Sequence, residues 1–417
     1  MDKFVIEGGV SLCGELEIKP AKNAILPCLA ASLLTAEKVV LCRSACLNDI
    51  YSMLSLLNHL GVKIDGNVGG ELTLMADNIK SLLAPYDLVR KMRASILVLG
   101  PLLARFKKAK VSFPGGCAIG PRPIDQHLKG LSSLGAKIDV EEGYILAETD
   151  GLKGGEVVFD KVSVGGTENL LMASVLAEGK TTIFNAAREP EVVDLGNLLK
   201  RMGAKIEGLG TDKIEIEGVE ELKGAIHSPI PDRIEAGTIM AATAITKGNV
   251  KLKNCLKENL EAPIIKLEEM GFSLNFDGNS ISVGSGKEIK STDITTSPFP
   301  GFPTDLQAQF VALLTQAEGT STVKEEIFES RFMHINELQR MGADIRIEGN
   351  IAVVKGKNEL KGAEVMASDL RASASLVIAG LAATGKTIVN RIYHLDRGYE
   401  RFEERLEKLG ARIRRVK

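Results

Sequence analysis

Hydrophobic and polar positions fall into the same order six times along the chain. A helical apolar stripe closes on Leu or Met, a glycine follows, and alternation with a period of two begins. The copies are Leu60-Gly61-Val62-Lys63-Ile64, Leu134-Gly135-Ala136-Lys137-Ile138, Met202-Gly203-Ala204-Lys205-Ile206, Met270-Gly271-Phe272-Ser273-Leu274, Met341-Gly342-Ala343-Asp344-Ile345 and Leu409-Gly410-Ala411-Arg412-Ile413. Their period of about 70 residues marks an internal repeat, three copies to each half. Each glycine is expected to take the left-handed cap that ends a helix, with a strand opening directly after it.

Each repeat carries a second helix that is apolar on most sides, over 24–34, 94–103, 168–177, 234–245, 306–316 and 372–383. Helices apolar all round belong inside, so each repeat predicts a buried helix within a shell of strands and outer helices. A charged residue stands where each buried helix begins: Lys22, Arg93, Glu168, Arg233, Asp305 and Arg371. Helix amino termini expose unpaired N–H groups and the positive end of the dipole, so six such ends on one cleft would attract polyanions. Surface charge at six ordinary helix starts is the plainer reading, but dipole complementarity alone favours acids there, and most of these are basic.

Composition narrows the class. The 417 residues are 44% hydrophobic and 25% charged, as in ordinary globular chains, with length for two or three domains. Fifty-four acids against 52 bases give a net charge of -2, without the broad basic footprint of a nucleic-acid binder. No run free of Asp, Glu, Lys and Arg exceeds 14 residues, too short to span a bilayer, and no signal-type segment opens the chain, so a cytoplasmic protein without membrane insertion is expected. The six scattered cysteines suggest thiols, with Cys42 and Cys46 read as small buried apolar residues. The five histidines show no ligand spacing, and no metal is expected.

Three motifs invite chemistry. Residues Gly380-Leu381-Ala382-Ala383-Thr384-Gly385-Lys386-Thr387 match the phosphate-loop pattern letter for letter. That loop needs a strand before it and a helix after it, whereas here a buried helix precedes Gly385 and a strand follows. Pro114-Gly115-Gly116-Cys117-Ala118-Ile119-Gly120-Pro121-Arg122-Pro123 can be neither helix nor central strand, and its cysteine sits between small residues with Arg122 close enough in sequence to favour a thiolate. Lys161-Val162-Ser163-Val164-Gly165-Gly166-Thr167-Glu168-Asn169 joins a basic residue to a glycine turn at a helix start, equally compatible with a phosphate cradle and a simple capped turn.

These residues resemble the enolpyruvyl transferases, and among them the branch that acts on UDP-N-acetylglucosamine. The likeness is carried by Lys22-Asn23-Ala24, Met92-Arg93-Ala94-Ser95, the Cys117 loop through Arg122-Pro123-Ile124-Asp125, the 161–169 segment, Asp232-Arg233-Ile234-Glu235, Phe302-Pro303-Thr304-Asp305, Glu329-Ser330-Arg331-Phe332, Asp369-Leu370-Arg371-Ala372-Ser373 and Asp396-Arg397-Gly398-Tyr399. It covers essentially the whole chain. The resemblance implies a two-domain inside-out α/β barrel of six βαβαββ repeats, with 21–229 as one domain, 1–20 plus 230–417 as the other, and an active site in the cleft between them. It also implies the first committed step of peptidoglycan synthesis, and hence a role in cell-wall biogenesis, cell shape and division: transfer of the enolpyruvyl group of phosphoenolpyruvate to the 3-hydroxyl of UDP-N-acetylglucosamine, releasing phosphate, with no cofactor.

The same likeness implies residue roles. Cys117 is the expected proton donor to C3 of phosphoenolpyruvate and the site of a covalent thioether adduct; Asp305 is the expected base at the sugar hydroxyl. Lys22, Arg122 and Arg397 are expected at the phosphate, and Arg331 and Arg371 at the carboxylate or the intermediate. Asn23, Arg93, Arg122, Pro123, Ile124, Asp125, Gln126, Lys161, Val162, Ser163, Val164, Asp305 and Ile327 are expected to contact the sugar nucleotide, with Asp369 as a further acidic site residue. Two alternatives remain: the shikimate 3-phosphate branch of the family, where no corresponding cysteine donor is expected, and a non-catalytic repeat binding module.

Overall fold

The computed structural model describes residues 2–114, 124–284, 286, 288–357 and 359–417. All six repeat glycines take positive φ, from 90° at Gly135 to 111° at Gly61, each ending a helix ahead of a strand. The repeat is therefore a backbone device: a residue without Cβ turns the chain where a left-handed conformation is required.

Among the described residues six four-stranded sheets share one plan, seen in a copy whose strands are consecutive, Glu156–Val158, Lys180–Phe184, Lys205–Glu207 and Lys213–Glu217. The first strand runs parallel to the second, the second antiparallel to the fourth, and the fourth antiparallel to the third. A helix crosses between the first two strands (Val164–Ser174) and another between the second and third (Pro190–Arg201), giving βαβαββ. The parallel pair requires a crossover, which the nearly all-apolar helix supplies from inside.

The chain divides into two compact units, one of residues through Lys19 with Pro231–Lys417, the other of the described residues from Pro20 to Ile230. Each has three sheets around three inner helical segments and its own hydrophobic core. In the 20–230 unit the last strand, Ala225–His227, returns to pair in parallel with Lys38–Leu41 and completes the first sheet. In the other unit Lys3–Glu7 lies between Lys386–Asn390 and Arg412–Val416, while Cys13–Glu17 pairs in parallel with Asn249–Lys253. The architecture is the α/β, inside-out barrel of six βαβαββ repeats.

Inner helices occupy Lys22–Ala31, Leu99–Phe106, Val164–Ser174, Arg233–Ile245, Thr304–Leu314 and Leu370–Ala382. Two starts differ from the sequence reading. Glu168 lies inside its helix and is buried, because Ser163 caps it earlier by accepting from the Gly166 N–H at 3.1 Å. Gly165 and Gly166 therefore belong to the first helical turn and not to a loop before it. The second copy runs as a 3₁₀ segment over Arg93–Val98 before its α-helix, since Pro101 has no N–H to offer the turn behind it. Cys42 and Cys46 are half-buried, not core residues, and no disulfide joins the described cysteines. After Gly385 (φ 86°) comes the strand Lys386–Asn390, so the phosphate-loop match reads helix to strand. Among the described residues no helix is long and apolar enough to cross a membrane.

Candidate active site

In the unit containing Pro231–Lys417, three expected residues meet. Asp305 sits in the first turn of Thr304–Leu314, and its Oδ1 accepts from Arg331 Nη2 at 2.8 Å. Its Oδ2 accepts from Arg371 Nε at 3.1 Å and Nη2 at 2.8 Å, a two-pronged clasp. Both arginines are buried, while the Asp305 side chain keeps 27% of its surface exposed, so one carboxylate binds two dry guanidiniums and still faces outward. Burial works most strongly against the Arg371 charge, but the Asp305 carboxylate, through charge and hydrogen bond, together with Tyr399 and Asp232 holds the guanidinium above its ordinary range. Arg371 also lies over the ring of Tyr399, whose buried hydroxyl meets Thr238 at 2.8 Å and Gln309 Nε2 at 3.2 Å. The Nη1 atoms of Arg331 and Arg371 have no partner among the described residues. Leaving such donors dry costs free energy, so two in one cluster call for an explanation.

Asp369 caps Leu370–Ala382, accepting from the Arg371 and Ala372 N–H groups at 2.9 and 3.1 Å, which places the Arg371 backbone. Arg397 closes the 3₁₀ segment Ile392–Arg397, half-buried. His394 lies in the field of both: burial first, then Arg397 and Arg391, push its imidazole down, against the pull of Asp369. Ile327 is half-buried, and its N–H donates to Glu325 at 2.8 Å. Glu325 was not anticipated. Its buried carboxylate gathers the hydroxyls of Thr296 and Thr304 and the N–H groups of Ile327 and Phe328, all within 3.1 Å, and so ties the start of the Asp305 helix to the Ile327 loop. Thr-x-x-Glu spacing could not have revealed it, because the partners lie 21 and 29 residues away.

In the 20–230 unit, Lys22 opens its inner helix, and its Nζ reaches Asp49 Oδ2 at 3.1 Å with both side chains nearly buried. Asn23 is exposed and Arg93 half-buried at the start of its 3₁₀ segment. Ile124 is buried, and Asp125 begins the helix Asp125–Ser133. Gln126 donates to Asp125 at 3.0 Å and accepts from the Asp160 N–H at 3.0 Å, which anchors the loop leading to Lys161. Lys161 and Val162 are exposed; Ser163 and Val164 are half-buried at the capped helix start. Cys117, Arg122 and Pro123 lie outside the described residues.

A family model described as EPSP synthase (3-phosphoshikimate 1-carboxyvinyltransferase) matches residues 6–406. The chain belongs to this enolpyruvyl transferase family. Curated relatives in the family include the UDP-N-acetylglucosamine 1-carboxyvinyltransferase of Koribacter versatilis, 54% identical over 100% of this chain and 97% of that one. The protein of the same name from Saccharophagus degradans is 55% identical over the full length of both. Solved enolpyruvyl transferase folds match as well: NikO from Streptomyces tendae (TM-score 0.90, 23% identity, 100% and 99% of the two chains) and the EPSP synthase of Acinetobacter baumannii (TM-score 0.77, 19% identity, all of both).

Proposed function

We propose that this enolpyruvyl transferase joins phosphoenolpyruvate to the 3-hydroxyl of UDP-N-acetylglucosamine and releases inorganic phosphate, the entry step to peptidoglycan. Full-length identity of 54–55% with proteins of that activity, against 19% with an EPSP synthase, favours the sugar nucleotide over shikimate 3-phosphate as acceptor.

The observation that carries the chemistry is the pair of unpartnered Nη1 donors on Arg331 and Arg371, in the cluster that holds Asp305. Two buried guanidiniums sharing one carboxylate retain a net positive charge, which suits the carboxylate of phosphoenolpyruvate. Asp305, bound by both yet partly exposed, is the base that takes the proton of the sugar hydroxyl as its oxygen adds to C2. Cys117 delivers a proton to C3 in the same addition. Loss of a C3 proton and of phosphate from the tetrahedral adduct then restores the double bond. Lys22 and Arg397, with Arg122, are assigned to the phosphate, and in the free enzyme Asp49 occupies the Lys22 ammonium until an anion competes for it. Asn23, Arg93, Pro123, Ile124, Asp125, Gln126, Lys161 to Val164 and Ile327 are assigned to the sugar nucleotide, with Asp369 placing Arg371. Retention of base, donor and anion ligands together disfavours a non-catalytic binding module.

Phosphate release from phosphoenolpyruvate, followed with each acceptor in turn, tests the reading. Turnover is expected with UDP-N-acetylglucosamine and background release with shikimate 3-phosphate; the reverse would move the chain to the other branch, and ligand binding without release in either case would make it a binding module.

A further inference from the structure

We propose that Cys28, Asp194 and His227 form a site for a thiophilic divalent cation, zinc by its ligand chemistry, which clasps the beginning and end of the 20–230 unit. The site is independent of the transfer reaction.

The three side chains come from three elements of that unit. Cys28 is on the inner helix Lys22–Ala31, Asp194 on the outer helix Pro190–Arg201, and His227 on the returning strand Ala225–His227. All are at most 3% exposed, and one ligand atom from each lies within 4.8 Å of the others. Cys28 and Asp194 are 166 residues apart, so no local spacing announces the group.

The polar chemistry of the cluster is incomplete without a cation. His227 Nε2 lies 3.1 Å from Asp194 Oδ1, yet neither ring nitrogen makes an aligned hydrogen bond among the described residues. No lysine or arginine pairs with the buried Asp194 carboxylate among the described residues. On one tetrahedral zinc, nitrogen and oxygen ligands at about 2.0–2.2 Å stand about 3.3–3.6 Å apart and a sulfur at about 2.3 Å stands about 3.5–3.7 Å from the oxygen; the 3.1 Å from His227 Nε2 to Asp194 Oδ1 and the 3.9 Å from Cys28 Sγ to Asp194 Oδ2 lie on either side of those spans, so small side-chain shifts would bring one carboxylate oxygen into both. The Cys28 thiol donates to the Asp194 carboxylate at 3.9 Å, so a cation taking the place of the thiol proton would meet sulfur and carboxylate together. Binding would release that proton to solvent and leave thiolate, carboxylate and neutral imidazole on the ion. The resulting group is neutral overall, which is the form a dry interior accepts, and one tetrahedral position remains for water.

The elements are held well enough to present ligands. The His227 carbonyl accepts from the Cys42 N–H at 2.9 Å, and Pro190–Arg201 packs against both the Lys22–Ala31 helix and the returning strand. A metal here would join the first inner helix of the unit to its last strand.

The test uses the full chain, freed of metal by dialysis against a strong chelator and then titrated with Co²⁺. One equivalent should develop a thiolate-to-cobalt charge-transfer band with the visible bands of a tetrahedral site, and raise the midpoint of thermal unfolding. The charge-transfer band should vanish in Cys28→Ala and the visible bands should change in His227→Gln. Should either variant fail to fold, X-ray absorption of the zinc-loaded wild type should show a single sulfur among lighter ligands. A band that survives Cys28→Ala, a zinc shell without sulfur, or no bound equivalent in the wild type would each overturn the proposal and leave a buried polar cluster.

Discussion

Asparagine at position 305 would keep the shape of the side chain and remove the charge that two buried guanidiniums share. Asp305→Asn is expected to abolish nearly all turnover and to cost about 1.5–3 kcal/mol of stability, the worth of hydrogen bonds to a charged group that leave their donors dry when lost. Steady-state kinetics with urea unfolding checks both, and wild-type turnover in a folded variant would remove Asp305 from the chemistry. The sequence pattern marked Asp305, Arg331 and Arg371 by type but not as a cluster, since 26 and 66 residues separate the partners. Glu325 and Asp49 were invisible for the same reason: an acid in a loop or a first turn reads as solvated until the fold supplies its partner. His127 shows the converse, a buried histidine held by its neighbours' hydrogen bonds. Asn169 Oδ1 accepts from the Gly100 N–H at 2.7 Å, so its Nδ2 must donate to Ile96 O and to His127 Nδ1, which fixes a neutral imidazole. Burial, then Arg93, lowers its pKa from 6.5 to about 4. The unfolded chain therefore binds the extra proton between these values. Stability from this histidine is complete above pH 6.5 and falls as the pH drops towards 4, by up to about 3 kcal/mol. Urea unfolding across that window should show a shallower acid loss in His127→Gln; an unchanged slope would contradict the assignment.

Among elements, the six helix-ending glycines were the most legible feature, because a left-handed cap constrains one residue type locally. Helix starts were less legible. Ser163 moved one start ahead of Glu168, and Pro101 divided another helix into 3₁₀ and α segments. Both effects depend on a single hydrogen bond gained or lost, which apolar periodicity does not register. Gly100 is a different kind of glycine. A Cβ there would stand 2.4 Å from the backbone O and from the Oδ1 of Asn169, where Leu99–Phe106 meets Val164–Ser174. Gly100→Ala is expected to cost about 1–3 kcal/mol by forcing these helices apart and disturbing the Asn169 bonds. Gly135→Ala, with open space around its Cβ, should cost only the strain of a positive φ, about 1 kcal/mol. Denaturant midpoints of the two variants compare them directly, and equal losses would count against the close-approach argument.

At the scale of the molecule, repetition explains why fold was easier to read than site. Six copies of one βαβαββ plan repeat their pattern in the sequence, so each copy supports the others. A site is written once, in residues drawn from several copies. Even so, strand exchange was not visible in the repeat period: Lys3–Glu7 becomes a central strand, antiparallel to both neighbours, and Ala225–His227 returns in parallel to the first sheet, because a ladder partner can be supplied from anywhere in the chain. The proposed reaction makes a new ether bond between the enolpyruvyl carbon and the sugar 3-oxygen. Incubation of the enzyme with phosphoenolpyruvate isotopically labelled at C2 and with UDP-N-acetylglucosamine, followed by NMR of the products, follows that bond itself. The labelled carbon is expected in a vinyl ether coupled to the sugar H3, with phosphate formed in equal amount. Label recovered as free pyruvate, or left in phosphoenolpyruvate while the folded enzyme holds both substrates, would contradict it.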